Sequence, residues 1–139
     1  MNLTLPEAGS VFHYPYLWSH EKATGVENPK DRTVCLVLRR KDEFGNDHLI
    51  ILPISDLRPE SPNDAVFVPD IEKHRAGLDV GRAAYVHVND YNIDILQRSW
   101  NYDPKAKRLG RFGKAFTRKI AAMLANAIKA GQSARIDRT

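Results

Sequence analysis

Apolar residues fall in short blocks over most of the chain and switch to a helical spacing near its end. Residues 33–38 are an almost unbroken, β-branched-rich run, and residues 49–54 are a second. Between them, residues 39–46 are mostly polar and carry a Gly-Asn pair at Gly45 and Asn46. Two such runs split by a turn signal predict a β-hairpin. A turn centred near Phe44 and Gly45 brings Arg32 and Ser55 to the same, open end of that hairpin. Upstream, residues 11–16 alternate in part and are aromatic, which reads as a first strand ended by Pro15. Residues 17–32 follow as a long polar loop broken by Gly25, Asn28 and Pro29, and a loop of that length in a small domain is often a lid or a binding loop.

Downstream of the hairpin, the Pro- and Asp-rich residues 55–64 can sustain neither helix nor central strand. Residues 65–68 read as a short strand, and a brief helix follows, capped by Asp70 and ended by Gly77. Residues 83–88 form another strand, with Tyr85 on the face opposite Val86. Asn89, Asp90, Tyr91 and Asn92 are a turn-forming cluster, and residues 93–96 look like the last core strand. Phe116, Ile120, Met123, Leu124, Ala127 and Ile128 then recur at i, i+4, i+7, i+8, i+11 and i+12, the apolar face of a helix of about four turns. Gly131 ends it, and residues 131–139 read as a frayed tail. The pattern predicts a single domain over residues 1–139, mainly β with helical trim. A small, strongly bent β-barrel would occupy about 9–100 and a C-terminal α-helix about 112–130.

Composition narrows the classes. A chain of 139 residues can bury a real core without staples, and 42% hydrophobic with 27% charged residues argues against disorder of the whole. The formal net charge of +4 favours an anionic partner such as RNA, DNA or an acidic protein. Much of that excess lies near the C-terminus, in Lys105, Lys107, Arg108 and Arg111. The single cysteine, Cys35, excludes an internal disulfide, fits a reducing compartment and sits in an apolar run that marks it as core. The first ten residues lack the basic start and apolar segment of a signal peptide, and no run approaches the ~20 residues that span a bilayer. The expectation is a cytoplasmic protein with no membrane partner.

No metal site and no cofactor are expected. The five histidines never occur as HxxxH or beside a cysteine pair, and His13 and His87 fall within strands as plain sheet residues. GxGxxG, P-loop and GxSxG patterns are missing, and Gly110-Arg111-Phe112-Gly113 is too short for a phosphate cradle. The candidate chemistry is the pairing of Arg32 with Ser55, since a guanidinium and a hydroxyl at one sheet end could hold a phosphate. The plainer alternative is an arginine paired with a nearby aspartate and a serine closing a turn. Trp18 and His20, in the long loop, could stack on or hydrogen-bond a ligand, or anchor the loop.

One further signal is an ordered series of short motifs: GSVFHYPYLWSHE from Gly9, KDR at Lys30 to Arg32, then a strand, then LPIS ending at Ser55. This series resembles the PemK/MazF family of toxin endoribonucleases, and within it the PemK-like growth inhibitors with their YLWSHE-like loop. The resemblance covers roughly residues 9–96. It implies an SH3-like barrel, a homodimer, metal-independent cleavage of single-stranded RNA and restraint by a cognate antitoxin. Arg32 matches the family arginine that stabilises the phosphate, Ser55 the threonine hydroxyl, and His20 a loop histidine suited to proton transfer. Gly9 matches the strand-entry glycine. Trp18, Lys30, Arg58, Asn92, Lys107 and Arg108 are the residues expected to meet RNA. The chain departs from the family in carrying Thr33 where a proline follows the arginine, and Ser55 where the family has threonine. The competing expectation is therefore a non-catalytic SH3-like module that binds RNA or a protein segment. A weaker one is a gyrase-poisoning toxin.

Overall fold

The computed structural model describes residues 6–139. Along the described chain run β1 (Ser10–Tyr14), α1 (Ser19–Ala23), β2 (Arg32–Lys41), β3 (Asp47–Ser55), β4 (Ala65–Phe67) and α2 (Asp70–Ala76). They are followed by β5 (Tyr85–His87), β6 (Asp90–Ile95), β7 (Gly110–Arg111), α3 (Lys114–Lys129) and β8 (Ala134–Asp137). The fold is mainly β. Its eight-stranded sheet runs β4-β5-β3-β2-β1-β7, with β6 on β3 and β8 on β6. Every pairing is antiparallel except the parallel β6–β8 pair. No ladder among the described residues joins β4 to β7, so the sheet is open.

The β2–β3 hairpin is the spine. Its tip is held by Asp42, whose backbone N–H donates to Asn46 and whose carboxylate accepts from the Phe44 and Asn46 amides. The ladder slips by one residue at a bulge at Val37, between the pairs Leu36↔Ile51 and Leu38↔Ile50. β3 then divides its other edge. His48 to Ile51 pairs with β6, and Ile54 and Ser55 pair with β5. Pro53, which has no N–H to offer, stands at the changeover.

Both faces of the hairpin are covered, which explains the unbroken apolar runs. Cys35, Val37 and Leu52 face one core with Val66, Val86, Phe112, Ile120 and Leu124. Val34, Leu36, Leu49 and Ile51 face another with Phe12, Tyr14 and Tyr16. Each fully buried Leu or Ile here contributes about 1.5–3 kcal/mol. The Cys35 thiol is sealed in, and burial alone pushes its pKa up. α3 presents Ile120, Leu124 and Ala127 to the first core as its spacing predicts, whereas Ile128 stays 42% exposed. Gly9 enters β1 with φ +92°, and a Cβ there would lie 2.7 Å from Thr117 Oγ1 on α3, so the position needs glycine twice over.

Four local expectations are corrected. Residues 17–32 are not loop throughout, because Ser19–Ala23 closes into α1. Asp70 does not cap α2: Pro69 stands at the N-cap without a side-chain bond, and Asp70 is the first helical residue. Gly77, at φ 70°, does end that helix. Residues 89–92 are not a turn, since β6 begins at Asp90. The turn-prone Asp90, Asn92 and Asp94 alternate with Tyr91, Ile93 and Ile95, and tertiary hydrogen bonds to their side chains override the local preference. Finally, residues 131–139 are not a frayed tail. β8 lies parallel to β6, buries Ile136, and is continued by Arg138, which donates to the Pro15 carbonyl at 2.6 Å.

Among the described residues no helix is long and apolar enough to cross a membrane.

Candidate functional site

The register of the hairpin, continued past its last pair Val34↔Pro53, sets Arg32 opposite Ser55. Each is held in place by a different neighbour: Arg32 pairs with Tyr14 of β1, Ser55 with Tyr85 of β5. The two residues face a cavity of about 720 Å³ that Trp18, His20, Arg58 and His87 also line. Five of the residues singled out from the sequence therefore meet at one place.

Arg32 is the fixed centre of this wall. Its Nη1 donates to the Tyr16 carbonyl at 2.6 Å and to Glu21 Oε1 at 2.7 Å, and Nη2 donates to Glu21 Oε2 at 2.9 Å. The end-on fork of the guanidinium thus grips one carboxylate bidentately. A guanidinium has five N–H donors. Among the described residues Nε–H and the second Nη2 hydrogen have no partner. Those two donors form the side-on fork, which suits two oxygens of a phosphate. The pairing with Arg32 holds the Glu21 carboxyl below the usual carboxylate range. Glu21 also accepts the Trp18 amide at 3.1 Å, so one side chain ties Arg32 to the first turn of α1.

Ser55 closes a turn, its Oγ accepting the Leu57 N–H at 3.0 Å. The hydroxyl hydrogen stays free to donate outward. Both halves of the plainer alternative are thus present, with Glu21 in place of an aspartate, and neither uses up the groups that a phosphate would need.

The rim is aromatic. Trp18 stacks on His20 with centroids 5.9 Å apart, and meets Tyr16 and His87 edge-on at 5.4 and 5.5 Å. Trp18 anchors the loop and lines the cavity at once; His20 sits exposed at the lip. The loop is pinned from below. Asp90 accepts the Tyr16 hydroxyl and the Ser19 amide, and Asn92 exchanges two hydrogen bonds with the Leu17 backbone. Burial, with Asp90 next, raises the Tyr16 pKa well above normal, so the phenol keeps the proton it donates.

Asn92 is fully buried and bonded through both amide atoms, with Arg138 as a further donor, so it supports the loop and does not line the cavity. Lys30 and Lys107 are exposed outside it. Arg108 lies beside Glu7 at 3.9 Å, also away from the cavity.

Three residues of the site had no role in the sequence reading: His87 and Asn89, which line the cavity, and Glu21, which holds Arg32. Glu21 lay in plain view beside His20, but only the tertiary structure pairs it with Arg32. His87 is 7% exposed and its Nε2 has no hydrogen-bond partner; Asn89 Oδ1, two residues on, has none either. Burial pulls the His87 pKa down, against a Leu57 backbone bond and the nearby Asp64 and Asp90, so the ring is neutral at neutral pH. Nothing in the spacing of His87 separates it from an ordinary strand histidine.

Among the described residues no group of three or more His, Cys, Asp or Glu is placed to hold a metal ion. A scan against protein-family models finds none that matches, and no curated protein matches the chain.

Proposed function

We propose that this chain is a toxin-type endoribonuclease of the PemK/MazF kind, cleaving single-stranded RNA without a metal and acting as a homodimer restrained by an antitoxin. The observation that carries the reading is the meeting of Arg32, Ser55, His20, Trp18 and Arg58 around one cavity, with the side-on fork of Arg32 unoccupied. The bent sheet, with helices set against it, is the framework we read as an SH3-like barrel.

In this reading the RNA 2′-oxygen attacks the adjacent phosphorus, the bond to the 5′-oxygen breaks, and a cyclic phosphate and a 5′-hydroxyl result. Charge builds on the non-bridging oxygens as the 2′-oxygen arrives. Arg32 Nε and Nη2 would donate to those oxygens and Ser55 Oγ–H would add a third donor, stabilising the transition state more than the substrate. Glu21 and the Tyr16 carbonyl keep the guanidinium from turning away, so little reorganisation is needed. His20, at the lip, is the group suited to carry a proton off the 2′-hydroxyl or onto the leaving oxygen.

The second reading, a module that binds RNA without cutting, rests on the departures at Thr33 and Ser55 from the pattern that the chain resembles. One experiment separates the two. Purified wild type and Arg32→Ala are incubated with a long, mixed-sequence single-stranded RNA in EDTA, and the products are mapped by primer extension. The expected outcome is discrete cuts by wild type that fall by about a hundredfold or more in the variant. RNA retained but uncut by folded wild type would leave the binding module standing.

A further inference from the structure

The strand register carries the candidate site beyond its cavity. Ser55 of β3 pairs with Tyr85 of β5, and Tyr85 pairs with Phe67 of β4. Directly opposed residues on antiparallel strands project from the same face. The row next to it, Ile54, Val86 and Val66, packs into the core. Ser55, Tyr85 and Phe67 therefore form an outward-facing row, with the two aromatic positions about 5 and 10 Å across the sheet from the serine strand.

One exposed ring and one half-buried ring beside a candidate phosphate site ask for an explanation. Phe67 is 56% exposed, and the rings of Phe67 and Tyr85 stand 5.7 Å apart and edge-on, at 63°, so each would offer a face to a different base. Both line a groove of about 790 Å³ that also takes in Arg58, Pro59, Glu60 and Lys119. Arg58, Pro59 and Glu60 line the Arg32 cavity as well, so the two depressions border the same loop. The charged side chains of the groove are two cations and one carboxylate, and the Lys73 ammonium lies 6.0 Å from the centroid of the Phe67 ring. Aromatic faces interleaved with cations are what unstacked bases and their phosphates require.

We infer that Tyr85 and Phe67 are a stacking platform for the bases flanking the cleaved bond, with Arg58 and Lys119 meeting the phosphates between. The inference rests on the ribonuclease reading for its direction, and it names the substrate feature that the site grips: unpaired, stackable bases beyond the reacting nucleotide. Binding should tolerate sequence along this row, because every base has a π-face.

The test is a ratio of affinities. Wild type, Phe67→Ala and Tyr85→Leu are titrated by fluorescence anisotropy against a labelled trinucleotide and against a single-stranded RNA of about 12 nucleotides. In wild type the longer RNA binds more tightly. Each variant is expected to narrow that preference by about tenfold. A general loss of folding lowers both affinities and leaves the ratio, and Tyr85→Leu keeps apolar bulk without the π-face.

An unchanged ratio in both variants overturns the platform, as does wild type binding neither RNA. A change in oligomeric state with the ratio intact would also overturn it and assign the face to contact between copies. Cleavage by wild type with an unchanged ratio removes the platform and keeps the nuclease. A narrowed ratio in a protein that never cuts keeps the platform and removes the nuclease.

Discussion

Two polar regions lie within one strand length of each other and are built on opposite plans. Along β6, Asp94 is fully buried and accepts from the hydroxyls of Tyr14, Ser99 and Thr139. Asn92 and Asp90 beside it are equally occupied, by Leu17 and Arg138 and by Tyr16 and Ser19. Burial and the Asp94 charge raise the Tyr14 pKa, which keeps its phenol a donor. Around the Arg32 cavity, by contrast, polar groups are left over: the side-on fork of Arg32, the hydroxyl hydrogen of Ser55, His87 Nε2 and Asn89 Oδ1. Saturated groups hold a structure together, since an orphaned buried donor or acceptor costs about 1–3 kcal/mol. Ser10 Oγ is also buried without a partner, away from the cavity, so it is spare groups gathered along a cavity wall that are available to a ligand. The difference separates scaffold from site without reference to any other protein.

The contrast predicts which substitutions harm folding and which harm chemistry. The largest effect should come from Asp94→Ala, which strands the Tyr14 hydroxyl in the second core. About 3 kcal/mol of stability should be lost, roughly 10 °C in Tm by thermal denaturation. A variant that melts like wild type would mean the β6 network is ornamental and the contrast empty. Ser55→Ala should do the reverse. Its Tm should shift by no more than a degree or two, since the residue is half-buried and closes only an exposed turn. Cleavage of single-stranded RNA should slow by about tenfold to a hundredfold, the loss of one transition-state donor. Cleavage at the wild-type rate would remove Ser55 from the chemistry and leave Arg32 to act without it.

How much of this was legible beforehand follows the same division. The hairpin, the α3 stripe and the approach of Arg32 to Ser55 depend on periodicity and on one turn, so local pattern sufficed. β6 and β8 did not yield to it. The segment Asp90-Tyr91-Asn92 reads as a turn until Tyr16 and Leu17, over 70 residues away, are seen to satisfy Asp90 and Asn92. The last residues read as a tail until Ile136 and Arg138 find β6 and Pro15. At the site, short motifs singled out Arg32, Ser55, His20 and Trp18, which line the cavity. Isolated charge did worse: Lys30, Lys107 and Arg108 lie outside it, and Asn92 is under the loop. Glu21 escaped because an ion pair is a fact of three dimensions.

Glu21 sits on the border between the two plans, and it gives the smallest but most diagnostic effect. Its carboxylate saturates one fork of Arg32 as a scaffold would, and by doing so leaves the other fork without a partner among the described residues. The hydrogen bond from Arg32 holds its pKa below the ordinary carboxylate value, whereas in the unfolded chain that value is restored. A depressed folded pKa contributes stability that is fully present above the unfolded pKa and is lost as pH falls through the folded one. Glu21→Gln should therefore be less stable than wild type near neutrality, by less than about 1 kcal/mol because the pair is partly solvated. The gap should close as the pH drops below the ordinary carboxylate range. Parallel melts of the two proteins across that range would measure it. A gap that is constant with pH would mean that Glu21 acts through its shape and hydrogen bonds alone. Arg32 would then be held by the Tyr16 carbonyl and by packing, and its free fork would owe nothing to the charge beside it.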